Sequence, residues 1–208
     1  MRTEARWISG VGVMSLVALL ATTVGFQVVH GQAQHVRWDI IHLNPSTTPP
    51  TMSAGGVAYA FARNPSSLKI QLTGSGTFVA PASGGGSGAV TGGGTWQTFS
   101  GCPAACVSTG SGTYTVTRLA RWAFANFQTG SFIDNIGDVT LRINGSAVFV
   151  IEYSDGSIGT LGVGCHGPGA PDGIVEGVIA TKDYVTYWDA QAPVGGVDAN
   201  RTIFHFEQ

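Results

Sequence analysis

Short segments in which apolar and polar residues alternate are the feature that most restricts the fold of this chain. Residues 36–40, 68–72, 139–143 and 202–206 all alternate in this way. A period of two is typical of β-strands with one buried face, and the chain after its N-terminal segment has no long stretch with a helical period. The 31 glycines show no collagen-like repeat and indicate turns and bulges. The predicted fold class is therefore all-β.

The segment from Asp138 to Gly164 predicts an antiparallel meander of three strands. Asn144-Gly145 and Asp155-Gly156 are each typical of a tight hairpin turn. The strand between these turns, residues 147–151, is apolar on both faces, so both faces should be covered. We therefore expect a closed or nearly closed barrel of about 8–10 strands, with a β-sandwich as the alternative.

A six-residue pattern occurs three times in the middle of the chain. It reads Thr-Gly-x-Gly-Thr-aromatic, and its copies begin at Thr73, Thr91 and Thr109, 18 residues apart each time. This spacing suits two strands and their connections. The pattern predicts three strand–turn units in which glycine permits a bend of a curved sheet. The alternative is a row of aromatic side chains that faces a ligand.

The second copy, Thr91 to Trp96, resembles the glycine-rich strand signature of dirigent and allene oxide cyclase barrels. Those families are small barrels that hold apolar ligands. The resemblance covers six residues and their two repeats, under a tenth of the chain. It implies a barrel, and it carries over no functional residue.

Residues 1–33 have the order of an export signal. A weakly positive start precedes a long apolar run, and Gly31-Gln32-Ala33 supplies the small residues that a signal peptidase recognises. We predict cleavage after Ala33, with an uncleaved membrane anchor as the alternative. Residues 34–208 would then form a single secreted all-β domain, secreted or periplasmic, without a membrane segment. The signal is typical of a bacterial protein, and a eukaryotic source is the alternative.

The charge balance excludes several classes of partner. From Gln34 onward the chain carries eight Lys and Arg against eleven Asp and Glu, and the basic residues are scattered. Nucleic acids and anionic membranes require clustered basic residues, so neither is an expected partner. Charged residues make up only 11% of the chain while hydrophobic residues make up 43%. This balance predicts a folded protein with a surface rich in Gly, Ser, Thr and Asn.

Two of the three cysteines are predicted to form a disulfide. Cys102 and Cys106 share a proline-containing loop, and an exported chain is oxidised outside the cytoplasm. A redox-active pair is the alternative. Cys165 is left over, and the main interpretation is a small buried apolar residue. The alternatives are pairing with another cysteine and a nucleophile activated by His42 or His205. The histidines have no metal-binding spacing, so no metal site is expected.

Aromatic and acidic residues supply the candidate ligand contacts. Tryptophan and tyrosine can line a pocket or a sugar-binding face, although they are more often core residues. Two glutamates follow apolar runs, where an inward carboxylate would have a raised pKa; the alternative is that both face solvent or pair with arginine. The candidate ligand-binding residues are Trp38, Trp96, Trp122, Tyr153, Glu152 and Glu176.

The leading functional hypothesis is a secreted barrel that binds a small apolar or aromatic molecule without catalysis and without a cofactor. The first alternative is an extracellular interaction or surface protein. The second is an enzyme that uses Cys165 or an inward carboxylate. The sequence does not fix the oligomeric state.

Overall fold

The computed structural model describes residues 34–81, 85–198 and 200–207. The predicted export signal, residues 1–33, lies outside the described residues. Among the described residues, strands dominate, and the only helix is a single 3₁₀ turn, Val139–Leu141. The strands in chain order are β1 (Gln34–Asn44), β2 (Thr51–Ala54), β3 (Ala58–Phe61), β4 (Lys69–Leu72), β5 (Ser75–Ala80), β6 (Gly93–Ser100), β7 (Val107–Phe127), β8 (Ile133–Asp134), β9 (Arg142–Tyr153), β10 (Ile158–Cys165), β11 (Gly177–Lys182), β12 (Val185–Tyr187), β13 (Asp189–Ala190) and β14 (Arg201–Glu207).

Six antiparallel strands close a barrel, which confirms the predicted all-β barrel. The ring runs β1–β5–β6–β7–β9–β14 and returns to β1. Its closing contact joins β9 to β14, with Ile143 opposite Phe204 and Arg142 opposite His205. The ring has fewer strands than the eight to ten expected, because the remaining strands pack outside it.

The outer strands extend the sheet at two places. On one side β6 pairs with β4, which continues into β3 and β13. On the other side β9 pairs with β10, followed by β11 and β12 in chain order. The long strand β7 pairs with both β6 and β9 and so joins the two extensions.

Side chains that alternate along the strands form the core. Val36, Trp38 and Ile40 of β1 are fully buried, as the alternation predicts. The residues between them face outward, but Asp39 is buried as well, because a second small apolar cluster covers this outer face. That cluster is built on Ile41, Met52 and Ile203. The alternation of side chains along each strand therefore determines which of them point into the barrel. The second apolar cluster covers part of the outer face of the barrel.

The three repeats have a structural role in the barrel. Their aromatic residues, Phe78, Trp96 and Tyr114, all belong to the main buried cluster. Gly92 has a φ of +113°, and a Cβ on it would lie 2.3 Å from the carbonyl oxygen of Ser75. Only glycine allows the backbones of the first two repeats to approach this closely.

The predicted hairpin at Asn144-Gly145 is wrong. Strand β9 runs straight through both residues. A Cβ on Gly145 would lie 2.5 Å from the carbonyl oxygen of Ala123, so this glycine allows close approach of β7 rather than a turn. The Asn144 side chain is buried and accepts a hydrogen bond from the Gly167 N–H at 2.8 Å. Tertiary contacts on both sides of the strand explain why the turn signal fails.

The second predicted turn is confirmed, whereas the predicted three-stranded meander is wrong, because its first strand does not exist separately and residues 142–143 belong to β9. Asp155-Gly156 joins β9 to β10, and Gly156 has a φ of +86°. The Asp155 carboxylate accepts a hydrogen bond from the Ser157 N–H at 3.1 Å, which closes the turn. Residues 139–141 form the 3₁₀ turn instead of a strand, because the Asp138 carboxylate caps it by accepting from the Thr140 N–H.

The cysteines are arranged as the main interpretation predicts. Cys102 and Cys106 form a disulfide in the loop between β6 and β7. Cys165 is a free, buried cysteine at the end of β10. Its neighbours on the same strand face, Leu161 and Val163, are buried with it.

Candidate functional site

The barrel interior is filled by aromatic side chains. Trp38 packs against Phe149 with ring centroids 5.3 Å apart, and Phe78 packs against Trp122 at 5.1 Å. Trp122 in turn contacts Phe204 at 4.9 Å. Most of these contacts are edge-to-face, the geometry that aromatic pairs prefer in cores. Two of the predicted ligand contacts, Trp38 and Trp122, therefore contribute to this packing.

A second aromatic group lies where the barrel meets the outer strands. Trp96 and Tyr153 contact each other with ring centroids 5.7 Å apart, and Tyr114 lies 6.4 Å from Tyr153. Each polar atom has a backbone partner: the Tyr153 hydroxyl donates to the Thr181 carbonyl at 2.9 Å, for example. Burial raises the pKa of both tyrosines well above the ordinary value. The structure thus brings two predicted site residues, Trp96 and Tyr153, together.

Lys182 places a positive charge on this aromatic group. The residue is only 5% exposed, and its Nζ lies 4.5 Å from the Trp96 ring and 4.8 Å from the Tyr153 ring. Nζ also donates to Asp155 at 2.5 Å and lies 3.3 Å from Asp183. Its hydrogen bond, with further ones from Ser157, lowers the pKa of Asp155 to about 2. Lys182 is thus a nearly buried cation that contacts two aromatic rings and two carboxylates.

A cleft of about 480 Å³ opens beside Lys182. Its apolar wall includes Leu68, Phe99 and Val185, and its polar wall includes hydroxyl groups and carboxylates. Tyr184, at the tip of the β11–β12 turn, is 94% exposed and lies at the edge of the cleft. The complete lining is Leu68, Trp96, Thr98, Phe99, Thr109, Gly110, Ser111, Asp155, Lys182, Asp183, Tyr184, Val185 and Tyr187. Apolar walls with a few convergent polar groups are typical of small-molecule sites.

The two predicted glutamates lie apart from this cleft. Glu152 is exposed, because its neighbours on β9, Ile151 and Tyr153, take the inward positions. Glu176 accepts hydrogen bonds from the N–H groups of Thr202, at 2.8 Å, and of His166. Burial raises the pKa of Glu176 to about 7. Glu176 thus fastens the loop after β10 to β14.

Cys165 lies near Glu176, and its thiol is not hydrogen-bonded to either of the two histidines proposed as its base. Its Sγ is hydrogen-bonded to the Gln128 side chain at 3.0 Å and to the Thr202 carbonyl at 3.2 Å. Burial raises the pKa of this thiol well above its ordinary value. The proposed bases are engaged elsewhere, since His42 pairs with Asp198 and His205 with Asp134. This geometry does not activate a nucleophile.

Lys182 is the residue that sequence reasoning missed. A lysine next to an Asp-Tyr turn resembles an ordinary surface residue. The position of Lys182 in its strand is the signal that could have revealed it. Alternate residues of a strand share one face, so Lys182 lies on the same face of β11 as Val178 and Ala180, and all three are buried.

Several further observations limit what the molecule can do. In the described part of the chain, no three His, Cys, Asp or Glu side chains are grouped to hold a metal ion. Over the same residues, no helix has the length and apolarity needed to span a membrane. Two segments, Asn144-Gly145-Ser146 and Asn200-Arg201-Thr202, match the Asn-x-Ser/Thr sequence of N-glycosylation, and both asparagines are completely buried.

No protein-family model, no curated protein and no solved structure matches this chain. Function must therefore be argued from the site alone, and the resemblance of Thr91–Trp96 to dirigent and allene oxide cyclase barrels supports no more than the barrel.

Proposed function

We propose that this protein is an exported, non-catalytic binding protein that holds a small ring-shaped molecule in the cleft beside Lys182. The observation that carries this proposal is the nearly buried Lys182 ammonium, held between Trp96 and Tyr153 at the base of an open cleft. The barrel interior is a poor alternative site, because aromatic side chains already fill it.

The cleft selects a ligand with an apolar face and a polar rim. Phe99, Leu68 and Tyr184 offer apolar surface, while Asp155 and Asp183 offer hydrogen-bond acceptors. Because Lys182 already pairs with both aspartates, an added anion gains little from it. A neutral aromatic or cyclic molecule with hydroxyl groups is the ligand class that suits these walls.

Ligand-observed NMR with a panel of phenols, indoles and neutral hexoses tests this proposal. Tyr184→Ala should weaken binding of a positive probe by at least about fivefold, since it removes an exposed ring worth about 1 kcal/mol. Phe127→Ala is the matched control, because Phe127 is an exposed aromatic residue outside the cleft lining. Equal binding by wild type and Tyr184→Ala, or no binding by any probe, would refute the proposal.

Lys182→Met provides a second variant at the base of the cleft. Methionine keeps an apolar chain over Trp96 and Tyr153 but removes the charge. We expect a folded protein, because Asp155 and Asp183 are both partly exposed and can be hydrated. Binding should weaken, because Lys182 no longer holds these two carboxylates in place as hydrogen-bond acceptors for the ligand. Unchanged binding in a folded Lys182→Met protein would argue against this site.

Export is part of the same proposal. N-terminal sequencing of the protein recovered outside the cytoplasm should begin at Gln34, as cleavage after Ala33 requires. A chain that keeps residues 1–33 would favour a membrane-anchored form of the binding protein.

The second candidate is an extracellular interaction protein, and one observation favours it. Phe124 and Phe127 are 46% and 50% exposed and stack on each other and on Phe206 with centroids 5.6–5.7 Å apart. Exposed aromatic clusters often mark protein contacts. Light scattering coupled to gel filtration distinguishes the two candidates, since this one predicts an oligomer that Phe124→Ser disrupts.

A further inference from the structure

Two rows of uncharged polar side chains cross the outer surface of the sheet formed by β3, β4, β6, β7 and β9. The first row contains Tyr59, Gln71, Gln97 and Ser111, which lie opposite one another on successive strands. The second row contains Thr73, Thr95, Thr113 and Ser154. Thr95 and Thr113 lie opposite each other on β6 and β7. Thr73, directly after β4, is hydrogen-bonded to Thr95, and Ser154, directly after β9, accepts from the Thr113 N–H. We call these eight residues the hydroxyl–amide face.

Strand parity directs the hydroxyl–amide face outward. The residues that alternate with it, such as Ile70, Leu72 and Trp96, are buried in the core. The members of the face are exposed or half-buried. Threonines from all three repeats contribute to it, so the repeats that supply inward aromatic residues also supply this outer surface.

Hydrogen bonds within the sheet hold several of these side chains in place. The hydroxyl oxygens of Thr73 and Thr95 are 2.7 Å apart, and the Ser154 hydroxyl accepts from the Thr113 N–H at 3.1 Å. The Gln97 amide donates to the Ser108 hydroxyl at 2.9 Å, which leaves its carbonyl oxygen free to accept. Because these donors and acceptors are already held in place, a ligand that binds here loses less free energy to the ordering of side chains.

The charge of the hydroxyl–amide face selects the partner class. All eight members are uncharged; Lys69 lies at one border, where its Nζ stacks 3.8 Å from the Tyr59 ring, and Glu152 lies at the other. A nucleic acid needs a basic surface, and an apolar partner needs an apolar one. A neutral, polyhydroxylated chain matches the alternating donors and acceptors.

From these observations we infer that the hydroxyl–amide face binds a neutral polysaccharide chain that lies across the strands. Four strands spaced at about 4.8 Å give each row a length of about 14 Å, and the rows are about 7 Å apart. The face therefore contacts several rings of an extended chain at once. This surface is separate from Lys182, and only Ser111 belongs to both it and the cleft lining.

Affinity electrophoresis in native gels tests the inference. The probes are dextran, soluble cellulose ether and β-glucan as neutral polymers, with alginate as the anionic one. Two double variants remove one row each: Gln71→Ala with Gln97→Ala, and Thr95→Ala with Thr113→Ala. The matched control is Thr129→Ala with Thr186→Ala, two exposed threonines outside the face.

We expect at least one neutral polymer to retard the wild type. Each row variant should bind that polymer at least about tenfold more weakly, because it loses two hydrogen bonds of about 1 kcal/mol each. The control and Tyr184→Ala should be retarded like the wild type, which separates this surface from the cleft. Thermal melting confirms that every variant is folded. The inference would be overturned if no neutral polymer retards the protein, or if the folded row variants are retarded as strongly as the wild type. It would also be overturned if only alginate retards the protein and salt abolishes that effect.

Discussion

The stability of this protein is expected to fall as the pH rises from acidic to neutral values, and Glu176 is the reason. Burial raises the pKa of this carboxyl group from 4.5 to about 7 in the folded chain. In the unfolded chain the same group ionises near its ordinary value. Across the window between these two values, the folded protein holds one proton that the unfolded chain has released.

The direction and size of the effect follow from this proton difference. The state that binds more protons gains stability as the pH falls, so Glu176 favours folding below the window and loses this contribution through it. One pKa unit corresponds to about 1.4 kcal/mol, so the free energy of unfolding should decrease by at most about 3 kcal/mol. Above about pH 8 the carboxyl group is almost fully ionised in both states, and no further change is expected from it.

Glu176→Gln isolates this contribution, because the amide does not titrate. Urea unfolding followed by tryptophan fluorescence gives the free energy of unfolding at steps from about pH 5 to about pH 8. The difference between the wild type and Glu176→Gln should change by about 2 to 3 kcal/mol over this range. Glu152→Gln is the matched control, because Glu152 is an exposed glutamate on β9, and as a surface substitution it should change the free energy of unfolding by no more than about 0.5 kcal/mol.

Only the change with pH tests the reasoning. The glutamine amide cannot accept from both the His166 and the Thr202 N–H groups, so a constant loss of about 1 kcal/mol is expected at every pH. Parallel pH profiles for the wild type and Glu176→Gln would mean that Glu176 ionises near its ordinary pKa. A wild-type advantage that grows with rising pH would reverse the sign and refute the argument.

Three further outcomes are expected. Phe149→Ala should lower the free energy of unfolding by about 3 to 5 kcal/mol in urea titrations, because it opens a cavity at the centre of the barrel, and a loss below about 1 kcal/mol would contradict the packed interior. Cys165 should resist iodoacetamide in the native protein and react in urea, as counted by mass spectrometry; rapid native labelling would contradict its burial. Replacing Cys102 and Cys106 with alanine should cost about 2 kcal/mol or less, since the closed loop is short, and a failure to fold would show a larger role for the disulfide.

Local patterns predicted much of the strand content, while the closure of the ring depends on contacts that no local pattern contains. The alternation in residues 36–40 and 202–206 correctly predicts strands β1 and β14. It also predicts the inward face of β1, whereas residues 202–205 of β14 are buried on both faces. The pairing of these two strands joins opposite ends of the described chain, with Val36 opposite Phe206. Because such pairing depends on three-dimensional packing, the number of ring strands could not be read from the sequence.

In the candidate site, too, residue types could be predicted from the sequence, while the contacts between them could not. The sequence predicted Trp96 and Tyr153 as site residues from their type, and the structure places both of them beside Lys182. Nothing local indicates that the Lys182 ammonium would lie over these rings, since β11 and β6 are far apart in sequence. Glu152 and Glu176 both follow apolar runs, yet Glu152 is exposed, whereas Glu176 accepts two backbone hydrogen bonds and burial raises its pKa to about 7.

The repeats connect the packing of the barrel to its outer surface through strand parity. Phe78, Trp96 and Tyr114 point inward, so the threonines that flank them in the repeats must point outward. A slip of one residue in the pairing of β6 and β7 would exchange the two sets and expose the aromatic rings. The close backbone contact at Gly93, where a Cβ would lie 2.2 Å from the Tyr114 carbonyl oxygen, opposes such a slip. The same glycines that shape the sheet thus help to keep the aromatic rings of the repeats in the core.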